Sequence, residues 1–487
     1  MENEDGGGRE NRRKSLRQSK NSGVVVGGSV SPRRNSRNRT TSPEDEATGM
    51  AKRLSKQPAT EKDGCDEIAK RLPERLFATD RFPSERVNMY STVDFLLWVR
   101  DVLRGTPEME LLLGSCFGGL FRIPALRLFA GKVVHSMMTR QVVTKKKYEM
   151  WPVFGGKPLR FSLVEFGEVT GLPCGEFEDG YSFDYQLQAK DDNYEFWGRL
   201  IGRNRNATVE DLMAMVESDP QMSGEKKLKL CLIVIVDGVL VATLQKPKPT
   251  LKYVKLLENL DEFFDFPWGR ESFMWTLSTL KPPPKVFGKL EDPLGVFCQK
   301  LRQQTVKTVG FPLALQLVAF RCVPRLASFV GGDDSVTIMD YPEKAMPLHA
   351  GLSVAHIRKA EHDPLLIVEP MLEISGDHDD RWGLWDDETY DKKVDYMVQL
   401  LKNGHIFVKE NWLGGDALDP LFVYEEKPKT PKRKKNLAAE PEPIRKQRIV
   451  LIANNISQAV KRLQQKQLRQ SKKQYPKIQP NYRGKSA

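Results

Sequence analysis

The chain has 487 residues, with 76 Lys or Arg against 64 Asp or Glu, a net charge of +12 and a mean hydropathy of −0.47. That length permits two or three domains, while six scattered cysteines, none in C-x-x-C spacing or beside a histidine, do not predict a disulfide framework or a structural zinc site. Residues 427–487 hold 18 basic and 2 acidic residues and residues 1–60 hold 13 and 7, so the centre carries an acidic excess of 10 and makes a poor phosphate-binding body.

Residues 1–60 are rich in Arg, Ser, Gly, Asn and Pro and offer too little apolar surface to offset ordering, so a disordered basic tail is expected. No apolar segment follows the first methionine, and a secretory signal is not expected. Ser91-x-x-Asp94 predicts a capping box opening a helix with Leu96, Val99 and Leu103 at helical spacing, ended by Gly105. Thr106-Pro107 starts another. Residues 148–154 and 158–161, separated by Gly155-Gly156, predict a hairpin; Ser162-x-x-Glu165 caps a short helix that Gly171 stops.

Thr208 caps a helix through Val216, and residues 226–243 form an apolar one. The longest apolar run, residues 231–244, is interrupted by Asp237 and Gly238 and is shorter than the roughly 20 residues a bilayer requires. A buried core helix is expected. Leu251, Val254, Leu257 and Phe264 line a further helical face, Pro267 and Pro312 mark helix starts, and Pro324 interrupts the last apolar helix. Residues 331–380 read as irregular, residues 392–402 as a final helix ended by Asn403-Gly404, and residues 405–408 as a strand.

Several segments resemble a known family. They are Arg140-Gln141-Val142-Val143-Thr144-Lys145-Lys146-Lys147-Tyr148-Glu149-Met150-Trp151, then Gly156-Lys157-Pro158-Leu159-Arg160-Phe161 and Thr170-Gly171-Leu172-Pro173-Cys174-Gly175. Asn259-Leu260-Asp261-x-Phe263, Pro267-Trp268-Gly269-Arg270-x-Ser272-Phe273 and Gly310-Phe311-Pro312-Leu313 follow in order. Over residues 75–330 the chain resembles the plant domain of unknown function 1985. The resemblance implies a lineage amplified with transposable elements and no established activity. Such proteins often carry a downstream cysteine protease for ubiquitin-like modifiers; here no cysteine follows Cys322, so that half lacks its nucleophile.

Cys174 sits at a turn without a neighbouring histidine and reads as structural. His349, His356 and His362 have no metal-ligand spacing, and the acidic stretch around residues 377–388 reads as a solvated loop whose Trp382 and Trp385 either pack on the core or contact a partner. The Gly331-Gly332 and Gly414-Gly415 loops lack a phosphate-cradling pattern. Lys432, Arg433, Lys434 and Lys435, followed by Arg445, Lys446 and Arg448, form a two-part nuclear-import candidate. Within residues 444–468, Ile449, Ile452, Ile456 and Leu463 mark a basic amphipathic helix.

The expected fold is mainly α with a small β element, a single compact central unit between disordered tails. The expected organisation is a basic tail at 1–60, a helical domain at 75–330, an irregular extension at 331–426 and a basic tail at 427–487. The expected function is a non-enzymatic nuclear interaction scaffold without cofactor or metal. Its partners would be proteins, with nonspecific nucleic acid held by the C-terminal tail and no membrane. A DNA-binding module is the alternative, a hydrolase or transposase-related enzyme a more remote one, and the cytoplasm the alternative location.

Overall fold

A computed structural model describes residues 67–418 except 83–84, 128, 184, 286–287, 289, 333, 347–351 and 375–381. The chain divides into two units, Met1–Ile68 and Ala69–Ala487. Only Glu67 and Ile68 of the first are described. The second is mainly helical with a few short strands, as its periodicity predicts.

At its centre the helix Gly224–Ile235 buries every residue from 228 to 235 and runs on into a π-helical turn, Val236–Leu240. Fully burying a Val, Leu or Ile side chain contributes about 1.5–3 kcal/mol, enough to offset the weak helix propensity of Ile233, Val234 and Ile235. The helices Asp94–Leu103 and Val209–Ser218 pack on it. Beside this layer, Leu163–Thr170 packs against Trp268–Leu280 and Leu313–Cys322.

Strand β1 (Arg86–Met89) pairs with β6 (Thr305–Thr308) in parallel register, Arg86 opposite Thr305. Between them in sequence lies the hairpin: β2 (Glu149–Met150) pairs with β5 (Phe161–Ser162), and β3 (Val153–Phe154) with β4 (Lys157–Pro158). Its turn requires glycine, because Gly155 and Gly156 have φ of 61° and 89°. A Cβ on Gly156 would also stand 2.8 Å from the Lys409 backbone nitrogen. Ser162 and Glu165 form the expected capping box, and Gly171 ends that helix at φ 66°.

Several expectations are corrected. The helix after Ser91 begins at Asp94 with Val93 as its cap; Ser91 is buried and its Oγ has no hydrogen-bond partner among the described residues. The Thr92 backbone N–H donates to Gly238 O at 3.0 Å, so the π turn sets the chain's entry, and Asp94 accepts from the Met346 backbone N–H at 2.6 Å. The face containing Leu251 and Phe264 is split between two short helices, Leu251–Leu256 and Leu260–Asp265. Residues 331–380 include the helix Val354–Glu361, capped by Ser353 and His356. Residues 405–408 form no strand. Phe407 turns inward and stacks on Trp412, whose Nε1–H donates to Gly156 O at 2.7 Å.

The segment after residue 330 is fastened to the helical body. Buried Arg100 donates to the carbonyls of Ile338 (2.8 Å), Tyr341 and Glu343 (3.0 Å). Arg140 and Glu361, both fully buried, form a bidentate pair at 2.8 and 2.6 Å. The Phe82 and Phe154 rings flank the guanidinium, and the Gly155 backbone N–H donates to Glu361. Farther on, Asp416 exchanges backbone hydrogen bonds with Leu76 and Ala78. The described body therefore includes this extension as well as the helical region before it.

Candidate functional site

Asp237, carried on the π turn, accepts from the Thr250 backbone N–H at 3.0 Å and from its hydroxyl at 2.5 Å, fixing the start of Leu251–Leu256. Burial pushes the Asp237 carboxyl up to about 7, against the Thr250 hydrogen bonds and the Lys252 charge. Asn259 caps Leu260–Asp265, and Pro267 sets the following helix at an angle to it. Trp268 is fully buried, its Nε1–H donating to Phe263 O at 2.7 Å. The Gly269 backbone N–H donates to Pro173 O and Arg270 Nε donates to Gly175 O, pinning the loop after Leu172 along the same helix.

Glu271 is the hub of the resulting cluster. Fully buried, its Oε1 accepts from Tyr253 OH at 2.5 Å, Lys252 Nζ at 3.1 Å and Trp275 Nε1 at 3.3 Å. Lys252 also donates to Tyr181 OH and Phe183 O, both at 2.9 Å, so all three ammonium hydrogens have acceptors. The ammonium lies 5.0 Å from the Tyr181 ring centroid and 4.9 Å from that of Tyr253. Burial first, and the Glu271 charge second, push both phenols up, so they remain protonated donors at neutral pH.

Above this cluster opens a cavity of about 340 Å³. Tyr181, Tyr253 and Phe266 supply aromatic wall, while Glu176, Glu178, Glu262 and Asp265 stand exposed on its lining. Asn259 Nδ2 donates to Glu262 at 2.8 Å, but none of the four carboxylates joins a salt bridge among the described residues. Four acidic side chains against one lysine, Lys252, give the lining a negative excess that attracts a cation. The lining combines electrostatic attraction with ring faces suited to an ammonium or guanidinium.

Trp382 and Trp385 are both half-buried against the core. Trp382 lies over Gly167, where a Cβ would come within 2.7 Å of the indole. Trp385 is held between the Tyr148 ring, stacked at 3.8 Å and 12°, and the Arg270 guanidinium at 4.1 Å. Asp387 joins Lys147 Nζ and Tyr148 OH, Glu388 accepts from the backbone N–H groups of Lys147 and Tyr148, and Asp391 accepts from that of Lys145. Asp387, Glu388 and Asp391 are thus engaged with the lysine run at 145–147, while residues 377–381 of the acidic stretch lie outside the described residues.

His356 caps its own helix and stacks on Phe329; His362 contacts Arg358 O. Among the described residues no group of three or more His, Cys, Asp or Glu is arranged to hold a metal ion, and His349 lies outside the described residues. Burial raises every described cysteine thiol, Cys174 and Cys231 farthest, Cys116 and Cys322 to about 12 and Cys298 to about 11. Lys432, Arg433, Lys434, Lys435, Arg445, Lys446 and Arg448, with both tails, also lie outside the described residues. No described helix is long and apolar enough to cross a membrane.

The groove was not legible from sequence because its members lie far apart in the chain and Glu271 occupies an unassigned position within Pro267-Trp268-Gly269-Arg270-x-Ser272. No curated protein and no solved structure matches this chain. Residues 138–279, a narrower span than the motifs suggest but one containing Lys252, Tyr253 and Glu271, match the model of the family described as a domain of unknown function (DUF1985).

Proposed function

We propose that this chain is a non-enzymatic nuclear interaction scaffold whose folded body holds a cationic segment of a partner protein in the groove above Glu271. One observation carries the reading. Lys252 already rests beside the two tyrosine rings, while four carboxylates that join no salt bridge among the described residues line the cavity an incoming Lys or Arg would enter. A cation–π contact contributes about 0.5–2 kcal/mol, depending on its desolvation, and the carboxylate field adds attraction that salt weakens. The tied-down ammonium and the raised thiols support a binding role over a catalytic one, since neither supplies an exposed nucleophile at neutral pH. The Lys147 ammonium of the run at 145–147 is paired with Asp387, which supports a protein partner over a phosphate backbone. On the resemblance, the proposal includes descent from a transposon-amplified plant lineage. Nuclear placement rests on the basic cluster from Lys432 to Lys435.

The test is fluorescence anisotropy of a labelled lysine- and arginine-rich peptide titrated with the full chain. Tyr181→Ala should weaken binding about fivefold, corresponding to roughly 1 kcal/mol of lost ring contact. Glu262→Gln should reduce both the affinity and its salt dependence. Equal affinity for an uncharged peptide, or no effect of either substitution, would refute the proposal.

A further inference from the structure

We infer that in the free protein this groove is occupied by the chain's own basic segment, residues 427–487. The inference rests on the groove being a cation site and adds the identity of its resident occupant. Charge is the first argument: that segment carries 18 Lys or Arg against 2 Asp or Glu, whereas residues 61–426 carry an acidic excess of 10. Glu176, Glu178, Glu262 and Asp265 bring four of those acidic groups to one opening, and among the described residues none of them joins a salt bridge. The chain therefore contains both a basic ligand and a compact place for it.

Reach is the second argument. Leu418 is the last described residue, and 69 residues follow it. An extended chain of that length spans on the order of 200 Å, so chain length does not forbid the contact. Attachment also makes the encounter intramolecular, at an effective concentration that falls as the connecting length grows. A weak affinity for a single Lys or Arg then suffices for substantial occupancy. The aromatic wall adds selectivity beyond charge: Tyr181 and Tyr253 already accommodate the Lys252 ammonium, and Phe266 extends the same wall.

The contact has a functional consequence. Lysines held in the groove are withheld from nucleic-acid phosphates, and reciprocity requires phosphate binding to weaken the groove contact by the same factor. The folded body would then restrain the nonspecific nucleic-acid affinity that composition alone gives its C-terminal segment.

The experiment uses the full chain. A carbodiimide joins a carboxylate to a neighbouring amine with loss of water, and peptide mapping then locates the links. Lysines of residues 427–487 should join Glu176, Glu178, Glu262 and Asp265 in preference to the exposed Glu195, Glu210, Asp219 and Glu291. In parallel, replacing the first four by their amides should raise affinity for an arbitrary duplex about fivefold over a charge-matched variant carrying the same changes at the second four. Links spread evenly over both sets, or equal duplex affinities, would overturn the inference. A lysine-rich peptide added in trans separates the two levels: groove-dependent binding of that peptide means that only the resident occupant was wrong. Its absence, together with even links, removes the groove reading as well.

Discussion

Two buried glutamates, each joined to a cation, have contrasting surroundings. Glu361 meets Arg140 with both side chains fully buried; two parallel contacts, the Gly155 backbone and aromatic rings enclose the pair. Glu271 is equally buried, but its partner Lys252 lines a cavity of about 340 Å³. The first arrangement fastens residues after 330 to the hairpin. The second presents a polar cluster to an approaching molecule, and the contrast shows that burial of a charge alone does not define a binding site.

The largest expected effect comes from breaking the enclosed pair. Arg140→Met leaves Glu361 buried without its cation, a loss of about 3–5 kcal/mol in comparable pairs. Urea unfolding should show that loss, and limited proteolysis should cut the segment after residue 330 sooner. Arg140→Met combined with Glu361→Leu should recover much of the stability. If the single variant is as stable as the parent, the pair is not the fastening described.

Acid and alkali should separate the regions next. Burial alone would raise Asp80, but Arg140, Arg75 and Lys409 outweigh it and hold its carboxyl well below the usual range. Its stabilising contribution is complete above the ordinary carboxylate range and is lost as pH falls toward its folded value. Burial likewise lowers His135 to about 4, so its contribution is present above the ordinary imidazole pKa and declines through the acid range. Asp237 has the opposite sign. Raised to about 7, it favours folding while protonated, and that contribution is lost as pH rises through neutrality. Asp237→Asn should flatten the decline in melting temperature between pH 5.5 and 8 by an amount corresponding to about 2 kcal/mol. An unchanged slope would show that Asp237 does not govern the pH dependence of stability in this range.

These regions also differ in how much of them could be read beforehand. Short-range chemistry was legible: Gly155-Gly156 predicts the hairpin turn, Ser162-x-x-Glu165 the cap and Asn403-Gly404 the end of Lys392–Lys402. Ser91 failed because tertiary pairing of Thr92 to the π turn displaced the expected cap. The helix Val354–Glu361 was missed because part of its buried face is Glu361, whose partner is 221 positions away. The parallel β1 and β6 pair joins Arg-Val-Asn-Met to Thr-Val-Lys-Thr, segments too short to announce their pairing. In the groove, local patterns place Lys252 and Glu271 on helices but cannot bring them together with Tyr181.

A smaller effect should come from Lys252→Met. Because Lys252 borders the cavity, water can take the place of its ammonium beside buried Glu271, and the stability loss should be about 1–2 kcal/mol rather than that of the enclosed pair. The same change should strengthen binding of a lysine-rich peptide about threefold, since Glu271 then attracts the incoming cation. Denaturant melts and peptide titration of the same variant provide the comparison. A loss matching that of Arg140→Met, with no gain in peptide affinity, would erase the distinction between the pairs.

The most direct test places a photoreactive group beside a lysine in a short basic peptide, irradiates it with the full chain and maps the attachment sites. Binding at the proposed groove should put those sites within residues 176–181, 252–256 and 262–266, with loss of labelling after Tyr181→Ala. Labelling concentrated elsewhere, or unchanged by that substitution, would contradict the assignment of this groove as the body's cation-binding surface.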